Sequence, residues 1–249
     1  MATFPILFAH RGASGYEYEN TITSFDKGIE LGANGIETDC WALIDGSVAV
    51  HHDKFISRSG KSPILISKIT KSEISAISLP NGDSVPLIDE VFSRYQYLKD
   101  LDGNLIQFSI DLQDTKVGLI LAPIIEDFNL ENRVYLCSEN LNVLAKVRKS
   151  HPKIMLIASN IRKLVLKPKF PSVQNLHSLN IDAINLQAKN VTPHLCMRIR
   201  VHGYKVFIWD LHTRESLEKG LDFNPAAIYT DYPDIAVQVI NQKMINNSS

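Results

Sequence analysis

Eight short runs of apolar residues recur along the 249-residue chain, and segments with the periodicity of amphipathic helices separate most of them. The runs cover residues 6–9, 36–42, 105–110, 134–137, 154–157, 183–186, 206–209 and 227–229. Strands that alternate with helices are typical of a parallel sheet, and eight such units predict an α/β fold of the (β/α)8 or TIM-barrel type. The active sites of such barrels lie at the C-terminal ends of the strands. Polar residues at those ends are therefore the candidates for function, and they are His10, Glu37, Asp39, Asp111, Ser138, Gln187 and Trp209.

The first unit has a clear helix after its strand. Ile22, Phe25 and Ile29 fall on one face of this helix, and Gly32 lies beyond its end. We predict that Asn20 caps the N-terminus of the helix.

The second unit carries a hairpin signal, because Asp45 and Gly46 between two apolar runs favour a two-residue type I′ turn. Antiparallel pairing about that turn sets Asp39 opposite His52, and Glu37 shares the face of Asp39. Two carboxylates and one imidazole are then expected on one face. His51 would point to the other face unless a bulge intervenes, so His52 is the predicted site residue and His51 the alternative.

Glu37 and Asp39 come directly after the apolar start of a strand that should enter the centre of the sheet. Carboxylates are costly to bury without a cation or hydrogen-bond donors. Together with the two histidines, they indicate a metal-assisted phosphodiester site.

These residues resemble the pattern of the glycerophosphodiester phosphodiesterase family. The matching motifs are His10-Arg11-Gly12, Tyr18-Glu19-Asn20-Thr21, Glu37-Thr38-Asp39, Asp45-Gly46 and His52-Asp53. The resemblance covers essentially the whole chain and is weakest between residues 114 and 200.

The resemblance implies a single barrel domain over residues 1–249, with a small insertion after the second strand and hairpin, at about residues 54–102. It implies a divalent cation, Mg²⁺ or Ca²⁺, held by Glu37, Asp39 and Asp111, with Glu19 as a further candidate. His52 would act as general base and His10 as general acid, although these two roles could be reversed. Arg11 would bind phosphate, and the Trp209 ring would lie beside the glycerol moiety.

Two departures from the family pattern bear on activity. The family has a strand ending in Glu-x-Lys, where this chain has Asp111 and Gln113. Gln113 then stands in the phosphate-facing position without a charge, which could cost on the order of 10²-fold in rate. If the strand is misaligned, Asp114 or Lys116 would substitute. A minor departure is Tyr18 in place of proline.

The expected substrate is therefore a small glycerophosphodiester, hydrolysed to glycerol 3-phosphate and an alcohol. The alternatives are lysophospholipase D-like action on lysophospholipids, and a catalytically weak barrel that binds a phosphodiester or metal. Arg58, in the insertion, could also reach phosphate. The oligomeric state is left open.

Composition excludes several other classes. A net charge of −1 lacks the excess of basic residues that is typical of proteins that bind nucleic acid. The basic run at 162–169 could touch anionic lipid, but a solvated loop explains it better. Three widely spaced cysteines fit neither a disulfide scaffold nor a zinc site.

No apolar run approaches a membrane span, and the first strand starts too early to leave room for a signal sequence, so a cytoplasmic location is expected.

Overall fold

The apolar runs form the strands of one closed barrel. The computed structural model describes residues 5–58, 61–159 and 176–248. Within them the strands are β1 (Ile6–His10), β2 (Gly35–Ala42), β3 (Val48–Val50), β4 (Phe55–Arg58), β5 (Lys61–Leu65), β6 (Gln107–Leu112), β7 (Val134–Ser138), β8 (Met155–Ser159), β9 (Ala183–Gln187), β10 (Lys205–Trp209) and β11 (Ala227–Thr230). Parallel neighbours follow the order β1-β11-β10-β9-β8-β7-β6-β2, and β1 also pairs with β2, which closes the ring. The predicted TIM barrel is confirmed.

Helices follow the barrel strands along the chain, as this fold requires. The described helices are α1 (Ile22–Glu30), α2 (Lys71–Ser75), α3 (Ile88–Tyr95), α4 (Val117–Asp127), α5 (Leu141–Ser150), α6 (Pro193–Val201), α7 (Arg214–Asp222) and α8 (Pro233–Ser248). The basic run at 162–169 lies outside the described residues, as does the side chain of Arg58.

Two apolar layers hold the barrel together. Inside the ring, Phe8 stacks on Tyr229 with ring centroids 4.9 Å apart, and Tyr135 packs edge-on against Phe207 at 5.3 Å. Outside the ring, the strands bury their other face against the helices, as where Phe92 of α3 meets the ring of Phe108 on β6. Alternating side chains therefore serve both layers, which explains why the strands read as near-continuous apolar runs.

The insertion after β2 is shorter than the sequence indicated. Helix α3 buries Val91, Phe92 and Tyr95 in the main core, so it is the barrel helix of the second unit and not part of the insertion. The segment before it contains β4, β5, a 3₁₀ turn at Ile66–Lys68 and α2. These elements share a small apolar cluster that includes Ile56, Ile66 and Ile74.

The hairpin joining β2 to β3 has a three-residue loop, not the predicted two-residue turn. Leu43 N donates to Ser47 O at 2.8 Å, and the loop of Ile44, Asp45 and Gly46 ends with Gly46 at a φ of +84°. A type I turn followed by a left-handed residue is the usual form of such a loop. The extra residue shifts the pairing by one, so His51 N, not a group of His52, donates to Asp39 O at 2.9 Å.

Gly35 makes room for the aromatic core inside the barrel. A Cβ atom at this position would lie 2.5 Å from Cδ1 of Phe8, far inside van der Waals contact. We therefore expect Gly35→Ala to lower the free energy of unfolding by about 1–3 kcal/mol, the range for overpacked cores. Urea unfolding measures this. In a Phe8→Leu background, which removes the ring, the added cost of Gly35→Ala should shrink; an equal cost in both backgrounds would contradict the steric explanation.

Candidate active site

The pairing of the barrel strands brings the predicted site residues together. His10 on β1 is opposite Glu37 on β2, and Asp39 on β2 is opposite Asp111 on β6. His10 ends β1 and Asp111 lies next to the end of β6, while Glu37 and Asp39 lie within the longer β2. All four border a cavity of about 290 Å³. The cavity is bordered by His10, Arg11, Glu37, Asp39, His52, Asp111, Gln113, Ser138 and Trp209 among others. Among the predicted site residues whose side chains the structure describes, Glu19 and Gln187 do not line it.

Three carboxylates form a compact cluster in this cavity, in which Glu37 and Asp39 are buried and Asp111 is half-buried. One oxygen from each of Glu37, Asp39 and Asp111 lies within 4.8 Å of the others. Glu37 and Asp39 expose only 3% and 2% of their surface. Burial, followed by repulsion from Asp39 and Asp111, raises the pKa of Glu37 well above its ordinary value. Burial and the charge of Asp39 likewise raise the pKa of Asp111 to about 6.

A divalent cation fits this donor set. Carboxylate oxygens are the ligands that Mg²⁺ and Ca²⁺ prefer, and buried anions of like charge need a positive partner. Arg11 is the guanidinium that borders the cluster, and it carries one positive charge against three carboxylates.

The Arg11-Gly12 turn fixes that guanidinium. Arg11 has a φ of +55° and Gly12 of +81°, both in the left-handed region. A Cβ at Gly12 would lie 2.3 Å from Oγ of Ser24, so only glycine fits. This turn lets the backbone N–H of Arg11 donate to Oε2 of Glu37 at 2.9 Å.

The Arg11 side chain spans two carboxylates. Its Nη1 donates to Oε2 of Glu19 at 2.7 Å, and its Nε lies 3.1 Å from Oδ2 of Asp39 at an angle too poor for a hydrogen bond. Glu19 is therefore placed as a partner of Arg11, outside the carboxylate cluster.

Asn20 has a different role from the predicted helix cap. Thr21 is the N-cap of α1, with its side chain accepting from Ser24 N. Asn20 takes a φ of +57° and turns its side chain inward, where Nδ2 donates to Oδ2 of Asp39 at 3.0 Å. Its Oδ1 accepts from the Thr38 hydroxyl at 2.6 Å. The asparagine therefore orients a carboxylate of the cluster.

Gln113 holds the other oxygen of the same carboxylate. Its Nε2 donates to Oδ1 of Asp39 at 2.5 Å. Asp114 accepts from the backbone of Lys116 and Val117 at the start of α4, so it serves that helix and not the site. The register of β2 and β6 sets Asp111 beside Asp39, which brings Asp111 into the carboxylate cluster.

Each predicted catalytic histidine has an aspartate at its Nδ1. Nδ1 of His10 lies 2.7 Å from Oδ1 of Asp231, and its Nε2 lies 3.9 Å from Oε2 of Glu37. Nδ1 of His52 lies 2.9 Å from Oδ1 of Asp53. Although the predicted hairpin register is wrong, His52 still borders the cavity, because β3 ends at Val50 and the chain bends away from strand geometry. A carboxylate that accepts the Nδ1 proton leaves Nε2 free for proton transfer.

Three polar residues beside His10 were missed by sequence reasoning. Asp231 follows β11, and its Oδ2 lies 2.9 Å from Nδ1 of His212, whose Nε2 lies 3.0 Å from Oδ1 of Asp210. Burial opposes ionisation of Asp231, but contacts with His10 and His212 outweigh it and hold its pKa well below the usual range. The carboxylate of Asp231, and then that of Asp210, raises the pKa of His212. Asp231 could have been found as a polar residue after the last apolar run; nothing in the sequence indicated that His212 folds back against it.

Of two further predicted site residues, Trp209 lies at the cavity and Gln187 does not. Trp209 borders the cavity, and its buried Nε1 has no hydrogen-bond partner among the described residues. Gln187 donates to Oδ2 of Asp210 at 2.9 Å, not to a group inside the cavity. The three cysteines are free and buried.

Comparison with known proteins places the chain among barrel phosphodiesterases. The model of the glycerophosphoryl diester phosphodiesterase family matches residues 10–235. The chain therefore belongs to this family, whose members are phosphoric diester hydrolases. A glycerophosphodiester phosphodiesterase of Caldanaerobacter subterraneus is 28% identical over 95% of this chain and 98% of its own length. A human lysophospholipase D is 22% identical over 90% of this chain and 82% of its own length.

Solved structures agree in fold. An Oleispira antarctica phosphodiesterase in complex with the product sn-glycerol-3-phosphate superposes with a TM-score of 0.80 at 19% identity, over 95% of this chain and 97% of that one. A Parabacteroides distasonis glycerophosphodiester phosphodiesterase gives 0.79 at 20% identity, over 96% and 98%. Within the part of the chain that the structure describes, no helix is both long and apolar enough to cross a membrane.

The raised pKa of Asp111 gives the metal-free protein a distinctive pH dependence. In the unfolded chain this carboxyl loses its proton near pH 4, but in the folded protein it does so near pH 6. The folded state binds more protons in this window, so this group removes stability as pH rises from about 4 to about 6. We expect the stability of wild type relative to Asp111→Asn to fall across that window, measured by urea unfolding in EDTA.

Asp89→Asn, a change at an exposed position on α3, is the matched control and should show no such trend. Millimolar Mg²⁺ or Ca²⁺ should then stabilise the wild type, by about 2.7 kcal/mol at a hundredfold excess over Kd, and should not stabilise Asp111→Asn to the same extent. Equal stabilisation of both proteins would argue against a cation at this cluster.

Proposed function

We propose that this protein hydrolyses glycerophosphodiesters to glycerol 3-phosphate and an alcohol. The observation that carries the proposal is the convergence of three close carboxylates, two of them buried and one half-buried, and two aspartate-paired histidines on one cavity at the C-terminal end of the barrel. Membership in the phosphodiesterase family and the relatives named above support the reaction class. A cytoplasmic location stays a prediction.

Glu37, Asp39 and Asp111 would hold the divalent cation. When bound, Mg²⁺ or Ca²⁺ would neutralise the phosphodiester charge and make the phosphorus more open to attack. Asn20 and Gln113 fix both oxygens of Asp39, so this ligand is oriented before any cation arrives.

Arg11 would contact a non-bridging phosphate oxygen from the cavity wall. Its guanidinium is already anchored by Glu19, so little conformational freedom is lost on binding. Trp209 would pack against the glycerol moiety from its place on the cavity wall.

His52 would remove the proton from the nucleophile, and His10 would protonate the departing alkoxide. This division of roles rests on the family resemblance. Asp53 and Asp231 hold the two rings through Nδ1, which directs each Nε2 to the reacting atoms. The nucleophile is either water or the glycerol 2-hydroxyl, and ³¹P NMR distinguishes them because the second route passes through a cyclic phosphate.

The first test is release of glycerol 3-phosphate from glycerophosphocholine by the purified protein with Mg²⁺, Ca²⁺ or EDTA. We expect cation-dependent release, and a loss of about 10²–10⁴-fold in His10→Ala and in His52→Ala, since each removes a proton-transfer group. His194→Ala replaces an exposed histidine on α6 and should leave the rate unchanged.

Full activity in either histidine variant would overturn its assigned role. If the folded wild type releases no product with any cation, the catalytically weak barrel anticipated from Gln113 becomes the better interpretation.

A second test separates the acid from the base. In a substrate that releases p-nitrophenolate, the leaving group departs without taking up a proton. The general acid is then dispensable. We expect His10→Ala to recover most of the wild-type rate on such a substrate, and His52→Ala to stay impaired. Recovery in His52→Ala alone would show that the two roles are reversed.

Lysophospholipids are the second candidate substrates, because a lysophospholipase D is among the relatives. Release of choline, the product common to lysophosphatidylcholine and glycerophosphocholine, decides between them when both substrates are assayed with the same cations. A higher kcat/KM for this lipid than for glycerophosphocholine would favour the lysophospholipase D activity.

A further inference from the structure

A connected row of polar side chains crosses the rim of the barrel next to His10. It begins at Gln187, whose Nε2 donates to Asp210 at 2.9 Å, and continues through His212 to Asp231 and then His10. These residues lie at or just after the C-terminal ends of β9, β10, β11 and β1, which are consecutive neighbours in the barrel. The row therefore follows the strand order around the ring.

His212 is held between two carboxylates. Its Nε2 lies 3.0 Å from Asp210, and its Nδ1 lies 2.9 Å from Asp231, an ion-pair distance whose N–H direction is not well aligned. Only an imidazole with protons on both nitrogens offers a donor to each side. His212 does not line the cavity itself, so it has no direct access to the substrate.

Asp210 occupies a strained backbone position. Its φ of +72° is one that residues other than glycine rarely adopt. Such strain persists where the surrounding structure holds it in place, and it concentrates at functional sites. Asp210 directly follows Trp209, and its backbone conformation places its carboxylate between Gln187 and His212.

Asp231 uses both of its oxygens in this arrangement. Oδ1 contacts Nδ1 of His10 and accepts from the Ser14 hydroxyl at 2.9 Å, and Oδ2 faces His212. The terminal torsion of an aspartate is broad, so contact on one oxygen alone would leave the carboxylate plane free to turn.

We infer that His212, held by Asp210, is a positioning residue that fixes the Asp231 carboxylate and thereby the ring orientation of His10. This inference rests on the proposed function, in which His10 transfers a proton, but the arrangement can also be tested without turnover.

Three variants at one position test it. Asparagine places its amide nitrogen where Nδ1 of histidine lies, so His212→Asn keeps the donor to Asp231. Glutamine places its amide nitrogen near Nε2, so His212→Gln keeps the donor to Asp210 alone. We expect His212→Ala and His212→Gln to lower kcat on glycerophosphocholine by about 10- to 100-fold, as when outer partners of active-site histidines are removed. KM should change less than about twofold, because substrate contacts are intact. His212→Asn should recover most of kcat.

A wild-type kcat in His212→Ala, or equal losses in the asparagine and glutamine variants, would overturn the inference. His194→Ala is again the control, and urea unfolding shows that each variant is folded.

Imidazole ¹H–¹⁵N NMR gives a readout that does not need activity. The His10 signals are assigned by their loss in His10→Ala. In the wild type, Nδ1 of His10 should carry a proton directed at Asp231, and in His212→Ala both tautomers should be populated. An unchanged His10 spectrum in His212→Ala would contradict the positioning role even if the wild type proved inactive. A changed spectrum with no turnover in any protein would instead place the failure in the proposed function.

Discussion

Three carboxyl groups crowded into one cavity are the constraint on which the rest of this site depends. Glu37, Asp39 and Asp111 stand close together where the strands of the barrel end. Carboxylates in such surroundings either take up protons or require a cation, because the interior solvates them poorly. The raised pKa values of Glu37 and Asp111 are the sign of this conflict in the metal-free protein.

Much of the surrounding structure keeps these charges in fixed positions. Asn20 and Gln113 occupy the two oxygens of Asp39, and the backbone of Arg11 holds Glu37. Arg11 and Asn20 both adopt left-handed backbone conformations to do so. Strain of this kind is tolerated where neighbouring contacts enforce it.

The packed apolar interior of the barrel holds the strands that carry these charged residues. Inside the barrel the rings of Phe8, Tyr135, Phe207 and Tyr229 pack against one another, and Gly35 leaves room for the ring of Phe8. A close-packed interior has few alternative arrangements, so the strand ends above it are held in register. Gln113 stands where the family resemblance implies a lysine; its amide cannot supply a cation to phosphate, but it orients a carboxylate of the cluster.

The sequence by itself determined the barrel, the strand ends that carry the site, and the residues His10, Glu37, Asp39 and Asp111, because apolar periodicity and the position of polar residues after each run are local properties. Tertiary structure decided what depends on distant partners. The hairpin took three loop residues and not two, which moved His51 opposite Asp39. Thr21, not Asn20, caps helix α1, because the Asn20 amide donates a buried hydrogen bond to Asp39 on β2. The contacts that join Asp231 to His10 and His212 cannot be read locally, since Asp231 lies 221 positions from His10 and only closure of the ring brings β1 and β11 side by side.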